Sequence, residues 1–177
     1  MNDPQLVTPS EHWLASYLDA LDEYRVHHTE LGALRSPADC PPGTTIFQVF
    51  EDHRMGRNLP DGYVQGSTFW LVDGEEYVGT GGIRHRLTPG LERFGGHIGY
   101  AIRPSRWNQG YGTIQLRFLL AEAARLGLDR VLLTCNETNV ASARVMEKCG
   151  GVYQDTIDHV VDDVPRRVRR YWIATGD

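Results

Sequence analysis

A chain of 177 residues, 41% hydrophobic and 23% charged, has the size and balance of one globular domain spanning 1–177, with a core that needs no staples. No apolar run approaches the ~18–20 residues of a membrane span, and a net charge of −5 argues against a nucleic-acid surface, which needs clustered Lys and Arg. The opening MNDPQLVTPSEHW lacks the basic stretch and apolar core of a secretory signal, and Cys40, Cys135 and Cys149 show no CxxC spacing, so a cytoplasmic protein with reduced thiols is expected.

Leu6-Val7 suggests a short first strand. Ser10 offers an N-cap oxygen, and Trp13, Leu14, Tyr17, Leu18, Leu21 and Tyr24 recur at helical spacing, predicting an amphipathic helix from 11 to about 31 that Gly32 ends. After the Pro37 to Gly43 loop, Ile46, Phe47, Val49 and Phe50 predict a second helix stopping near Gly56. The period then changes to two. Ser67–Val72 is a strand, Asp73-Gly74 a turn, Tyr77–Arg86 the returning strand, and His97–Arg103 a third strand stopped by Pro104, with Thr88-Pro89-Gly90 opening the loop between. A helix over about 110–126 follows, with Gln115, Glu122 and Arg125 on its polar side and Gly127 suited to a left-handed cap. Then come a strand (131–135), a helix (139–148) and two strands (152–161 and 166–174). The order β-α-α-β-β-β-α-β-α-β-β is that of an α+β domain. Arg166-Arg167-Val168-Arg169-Arg170 reads as a solvated strand face, with phosphate binding as the alternative.

The most informative segment is Arg103-Pro104-Ser105-Arg106-Trp107-Asn108-Gln109-Gly110-Tyr111-Gly112-Thr113. It carries the chain from strand to helix through two glycines, which permit tight turns and close approach of a ligand. Unpaired N–H groups and the helix dipole make such a start an anion site, and a pyrophosphate is a natural occupant. A dinucleotide fingerprint fails because Gln115 stands where its third glycine belongs, and no GK[ST] follows for a P-loop. By itself the pair of glycines is equally explained by a helix start that needs small residues.

In context the chain resembles the GCN5-related N-acetyltransferases. It has a strand meander, a [QR]-x-x-G-x-[GA]-like loop at Trp107–Gly112, and a second signature, Asn139-Val140-Ala141-Ser142-Ala143-Arg144-Val145-Met146-Glu147-Lys148-Cys149-Gly150-Gly151. The resemblance spans roughly residues 67–174. It implies a mixed central sheet whose third meander strand splays from the strand ending at Cys135 to hold acetyl-CoA. Ala101, Ile102 and Arg103 would line the pantetheine arm. Trp107, Asn108, Gln109, Gly110, Tyr111, Gly112 and Thr113 would cradle the pyrophosphate, with Asn139 and Ser142 beside the arm. Trp107 replaces the usual Gln or Arg, and Met146 the tyrosine that many relatives use to protonate the departing thiolate.

The implied reaction is direct acetyl transfer to an amine in a ternary complex, with a strand N–H near Ala101 polarising the thioester carbonyl. The acceptor would be a small amine or a protein amine. His97 is the leading candidate base, because its ordinary pKa of ~6.5 suits proton uptake near neutrality. A strand-end histidine bonded to a neighbouring loop is the plainer reading. Glu92, in the preceding loop, is a second candidate. Tyr100 and Tyr111 are read as packing residues, with reach to the departing thiolate as the sharper alternative for either phenol, and Asn139 equally as a helix N-cap. No metal-ligand spacing occurs among the seven histidines, and a homodimer is compatible with the sequence. A CoA-binding regulator that keeps the cradle without the chemistry is the rival reading.

Overall fold

The computed structural model describes residues 3–27, 34–161 and 164–176. Strand β1 (Pro4–Val7) leads into a single 3-10 turn, Glu11–Trp13, and helix α1 (Leu14–Val26). Ser10 precedes the turn with extended backbone, but its hydroxyl accepts no N–H. The expected continuation to about residue 31 and the Gly32 stop fall outside the described residues. Helix α1 buries Tyr17, Ala20, Leu21 and Tyr24, one stripe at 3.6-residue spacing. Helix α2 (Ile46–Met55) starts on the Thr45 hydroxyl, which accepts from Gln48 N–H at 3.1 Å, and ends at left-handed Gly56.

Strands β2 (Gly66–Asp73), β3 (Glu76–Arg84) and β4 (Ile98–Ile102) form the expected meander and, with β1, an antiparallel sheet in the order β1-β2-β3-β4. The loop expected after β3 contains one helical turn, α3 (Pro89–Arg93), because Thr88 caps it and Pro89 fixes its first φ. Strand β4 starts at Ile98, because the His97 N–H leaves the ladder to donate to Leu132 O at 2.7 Å.

Helix α4 (Tyr111–Arg125), β5 (Arg130–Asn136), α5 (Val140–Lys148), β6 (Val152–Val161) and β7 (Val164–Ala174) complete the chain. The last three strands form a second antiparallel sheet, β5-β7-β6. Helices α4 and α5 cover one face of the strands through Ile83, Ile98, Leu116, Leu119, Leu133 and Met146. Helix α1 and α2 cover the other, where Tyr17 stacks on Trp70 at 4.5 Å.

Gln115 departs from its expected place on a polar face. It is fully buried, because Gly79 beneath it has no side chain, and a Cβ there would come 3.0 Å from Gln115 Oε1. Glu122 and Arg125 do form an ion pair on the outer side of α4. Met146 is buried in the core, and Cys40, Cys135 and Cys149 are free thiols.

Candidate active site

The two sheets do not join along their length. Among the described residues β4 pairs only with β3, and β5 only with β7, so each presents an unpaired edge. They meet at one apex. There His97 N–H donates to Leu132 O, and His97 Nδ1 accepts from Leu132 N–H at 2.9 Å. Gly96 makes this approach possible, since a Cβ on it would lie 2.3 Å from Leu132 O.

The ladder phase decides which β4 groups face the opening. Arg84 N–H donates to His97 O and Arg103 N–H to Val78 O, so the His97 carbonyl and the peptide groups of residues 99, 101 and 103 turn toward β3. Tyr100 and Ile102, on either side of Ala101, therefore carry the outward N–H and C=O groups, and Ala101 turns its own inward. Ile102 O already accepts from Trp107 Nε1 at 2.6 Å.

At the end of β4 the chain makes a 3-10 turn, Pro104–Arg106, then reaches α4 through Asn108 (φ +59) and Gly110 (φ +88). No group among the described residues accepts from the N–H of Asn108, Gln109, Gly110, Tyr111 or Gly112. These five donors surround the positive end of a 15-residue helix. A Cβ on Gly110 would meet nothing within 4 Å, so the concavity is open. Thr113 N–H returns to Gly110 O at 3.1 Å, and Gln109 Nε2 donates to Ser105 O.

Nearby charges are already neutralised. Arg103 donates from Nε to Glu23 Oε1 at 2.6 Å, turning its guanidinium toward α1 rather than the cradle. Arg106 is paired with Glu76. Tyr111 donates to Asp73 Oδ2 at 2.6 Å, and burial, then the Asp73 carboxylate, pushes its phenol up to about 12. Anion affinity at this loop would thus come from backbone N–H groups and the helix dipole.

On the α4/α5 side of β4 the Tyr100 hydroxyl lies 3.1 Å from Ser142 Oγ, bridging β4 to the first turn of α5. Burial raises the Tyr100 pKa well above 10, so the phenol stays protonated. Asn139 acts as an N-cap, accepting from Ser142 N–H at 3.0 Å. Neither of the thiols near α5 is a ready nucleophile: burial pushes Cys135 up to about 11 and raises Cys149 as well.

The opposite face of β4 opens on a cavity of about 440 Å³ between β2, β3, β4, α2 and the segments after α1 and α2. Gly82 and Gly99 line it; a Cβ on Gly99 would meet nothing within 4 Å, and one on Gly82 only Ser67 O at 3.9 Å. Arg35, His53, Tyr63, Thr68 and Arg84 also line it. Sequence reasoning missed Arg35, His53 and Arg84, because nothing local marks them. His97 is 8% exposed and is not among the residues lining this cavity. Burial, then Arg84, lowers its pKa, with Glu92 opposing. Glu92 sits on α3, where its carbonyl accepts from Arg170 at 3.0 Å. Among the described residues no group of three or more His, Cys, Asp or Glu side chains is placed to hold a metal, and no helix is long and apolar enough to cross a membrane.

A comparison of the sequence with curated proteins gives no match. Solved structures of similar fold include YncA of Salmonella typhimurium with acetyl-CoA (13% identity, 99% of this chain and 96% of that one, TM-score 0.65). The ribosomal L7/L12 alpha-N-protein acetyltransferase RimL in complex with coenzyme A is 20% identical over 100% and 97% of the two chains, with a TM-score of 0.66. A spermidine N-acetyltransferase chimera containing the Vibrio cholerae protein is 14% identical over 97% and 95%, with a TM-score of 0.61. The family model described as an acetyltransferase (GNAT) domain matches residues 43–152, which hold the meander, the open edge of β4, the glycine cradle and α5. With an opened sheet and a cradle of free N–H groups inside that match, the chain belongs to the GCN5-related N-acetyltransferase family.

Proposed function

We propose that this protein is an acetyl-CoA-dependent N-acetyltransferase acting by direct attack in a ternary complex. The observation that carries the reading is the run of five unpartnered N–H groups, Asn108 to Gly112, at the end of an unpaired strand edge. The fit to a pyrophosphate is good: the donors converge at a helix N-terminus, and Gly110 leaves the concavity open. When bound, acetyl-CoA supplies a thioester whose C–S bond breaks as the amine nitrogen bonds to the carbonyl carbon.

The chain's own groups then have separable tasks. The cradle would hold phosphate oxygens. The outward N–H and C=O groups of Tyr100 and the N–H of Ile102 would pair with the pantetheine arm as an added strand would, the Ile102 carbonyl being taken by Trp107. The protonated Tyr100 hydroxyl, backed by Ser142 at 3.1 Å, would serve as the donor for negative charge developing on sulfur. The proton that the attacking amine sheds passes through water and ends on that sulfur, so the balance needs no other reactant.

His97 is assigned a positioning role in this reading. Its Nδ1 is an acceptor for Leu132 N–H, so the neutral ring carries its proton on Nε2 and has no free lone pair to offer an amine. Free thiols fit a reducing compartment, and we place the protein in the cytoplasm. The buried Met146 and the engaged His97 are what favour the second reading, a CoA-binding regulator without turnover.

Acetyl-CoA should raise the melting temperature, since a ligand of the folded state stabilises it by mass action. Gly110→Asp should abolish that shift while the protein stays folded, by adding a carboxylate inside the cradle. A variant stabilised as well as the parent would move the anion site elsewhere. Thiol release measured over a broad amine panel separates enzyme from regulator.

A further inference from the structure

The cavity behind β4 has a one-sided charge. Among the described residues its lining includes Arg35, Arg84 and His53, and no Asp or Glu. Elsewhere the arginines near the site are neutralised: Arg103 by Glu23, Arg106 by Glu76, Arg170 by Asp155. Arg35 and Arg84 have no such carboxylate among the described residues. Arg84 projects from β3 on the same face as Gly82 and Thr68, and only its Nη1 is engaged, donating to Gly95 O and Gly96 O at 3.1 Å each. Its remaining donors have no protein acceptor among the described residues.

Both charges are felt by neighbouring groups. Burial, then Arg35, lowers His53, against the Asp52 carboxylate, which is itself held by Asn58 and Arg57. Burial, then Arg84, lowers His97, against Glu92. Half-buried guanidinium groups without a counter-ion are costly, and a ligand that supplies the anion recovers that cost. A polyamine entering here would instead meet like charge.

We propose that the acceptor is a primary amine carrying its own anionic group, a carboxylate or similar oxyanion, which Arg35 and Arg84 neutralise on the α2 side of β4. The proposal rests on the N-acetyltransferase reading and names the substrate class for that same site. It also accounts for the missing base. The same guanidinium charges disfavour an ammonium ion, so they lower the pKa of the bound amine and raise its neutral, attacking fraction. Free amino acids and peptides with an acidic first residue share this chemistry.

The test pairs acceptors that differ only in charge: an acidic amino acid against its carboxamide, a peptide with an acidic N-terminal residue against its amide counterpart, and spermidine as the cationic control. Each acid should exceed its amide in kcat/KM by at least about tenfold, the scale of one charge-assisted hydrogen bond. The better of the free amino acid and the peptide identifies the source. Arg35→Gln should erase the preference, chiefly by raising KM for the acid more than for the amide, with the acetyl-CoA melting shift kept; Arg35→Lys should restore part of it. Arg84→Lys, which keeps a donor for the Gly95 and Gly96 carbonyls, should act in the same direction. Preference for spermidine or the amides, or an undiminished acid preference in Arg35→Gln, would overturn the proposal while leaving the acetyltransferase reading intact. If no amine turns over, the acetyltransferase reading falls, and melting shifts by the acid against its amide, with CoA present, still decide this one: a shift specific to the acid and lost in Arg35→Gln upholds it, and equal shifts sink it.

Discussion

At the scale of single residues, what a side chain touches decides between chemistry and support. His97 has the right residue type on the right strand, yet its ring closes the apex between the sheets. His97→Gln should cost about 1–3 kcal/mol of stability, the penalty for disturbing a buried hydrogen bond. It should leave the pH profile of turnover in place. A general base would instead show a loss of ~10²–10⁴-fold that shrinks at high pH. Tyr100 carries the contrary expectation. Tyr100→Phe should keep the acetyl-CoA melting shift and lower kcat by about 10²-fold, the usual scale for one donor aimed at developing charge. Met146 is 1% exposed and packs with Leu116, Leu119 and Leu133, so Met146→Leu should cost under ~1.5 kcal/mol and leave turnover nearly unchanged.

At the scale of elements, glycines set how closely helices approach strands, and they divide into two kinds. Gly79 and Gly81 lie under α4: a Cβ on Gly79 would sit 2.7 Å from Ala101 O, and one on Gly81 2.5 Å from Leu119 Cδ1. Gly79→Ala meets backbone and should destabilise by about 1–3 kcal/mol, while Gly81→Ala meets the end of a flexible side chain and should cost less. Denaturant midpoints check the order. Gly99 faces the cavity with open space above it. Gly99→Ala should leave the midpoint unchanged and raise KM for the acceptor, because the methyl occupies volume the substrate needs.

At the scale of the whole molecule, protonation of partly buried histidines and paired carboxylates sets how stability depends on pH. His53, His85 and His97 all have pKa values below the ordinary 6.5, with burial the first cause in each. Below about 6.5 the unfolded chain therefore binds more protons than the folded one. Stability should be level above that pH and fall as pH drops through the range below it. Protonating His97 also sets a donor against the Leu132 N–H. A second decline belongs near pH 4 and below. Burial would raise Glu23, but hydrogen bonds from Ser105 and Arg103 outweigh it, and Arg170 holds Asp155 low. Both carboxylates lose their partners' stabilisation when protonated. Melting temperature followed from pH 8 to 3 checks both steps, and His97→Gln should shrink the first, leaving the share of His53 and His85.

The amino-acid sequence by itself determined the element order and the cradle. Both are local: periods of 2 and 3.6, the Asp73-Gly74 turn, and two glycines at a strand-to-helix junction act over a few residues and need no distant partner. Helix α3 was missed for a related reason, since a single capped turn is too short to show a period. Tertiary structure alone decided the rest. Gln115 is buried because a glycine from strand β3 lies beneath it, His97 is engaged because Leu132 comes to meet it, and the sheet opens because, among the described residues, β4 and β5 find no partner on their facing edges. Arg35 and Arg84 reach one cavity from segments far apart in the chain. Spacing records neighbours along a helix or strand, whereas these contacts are set by how separate segments pack, and the charge of the cavity behind β4 belongs to that second kind.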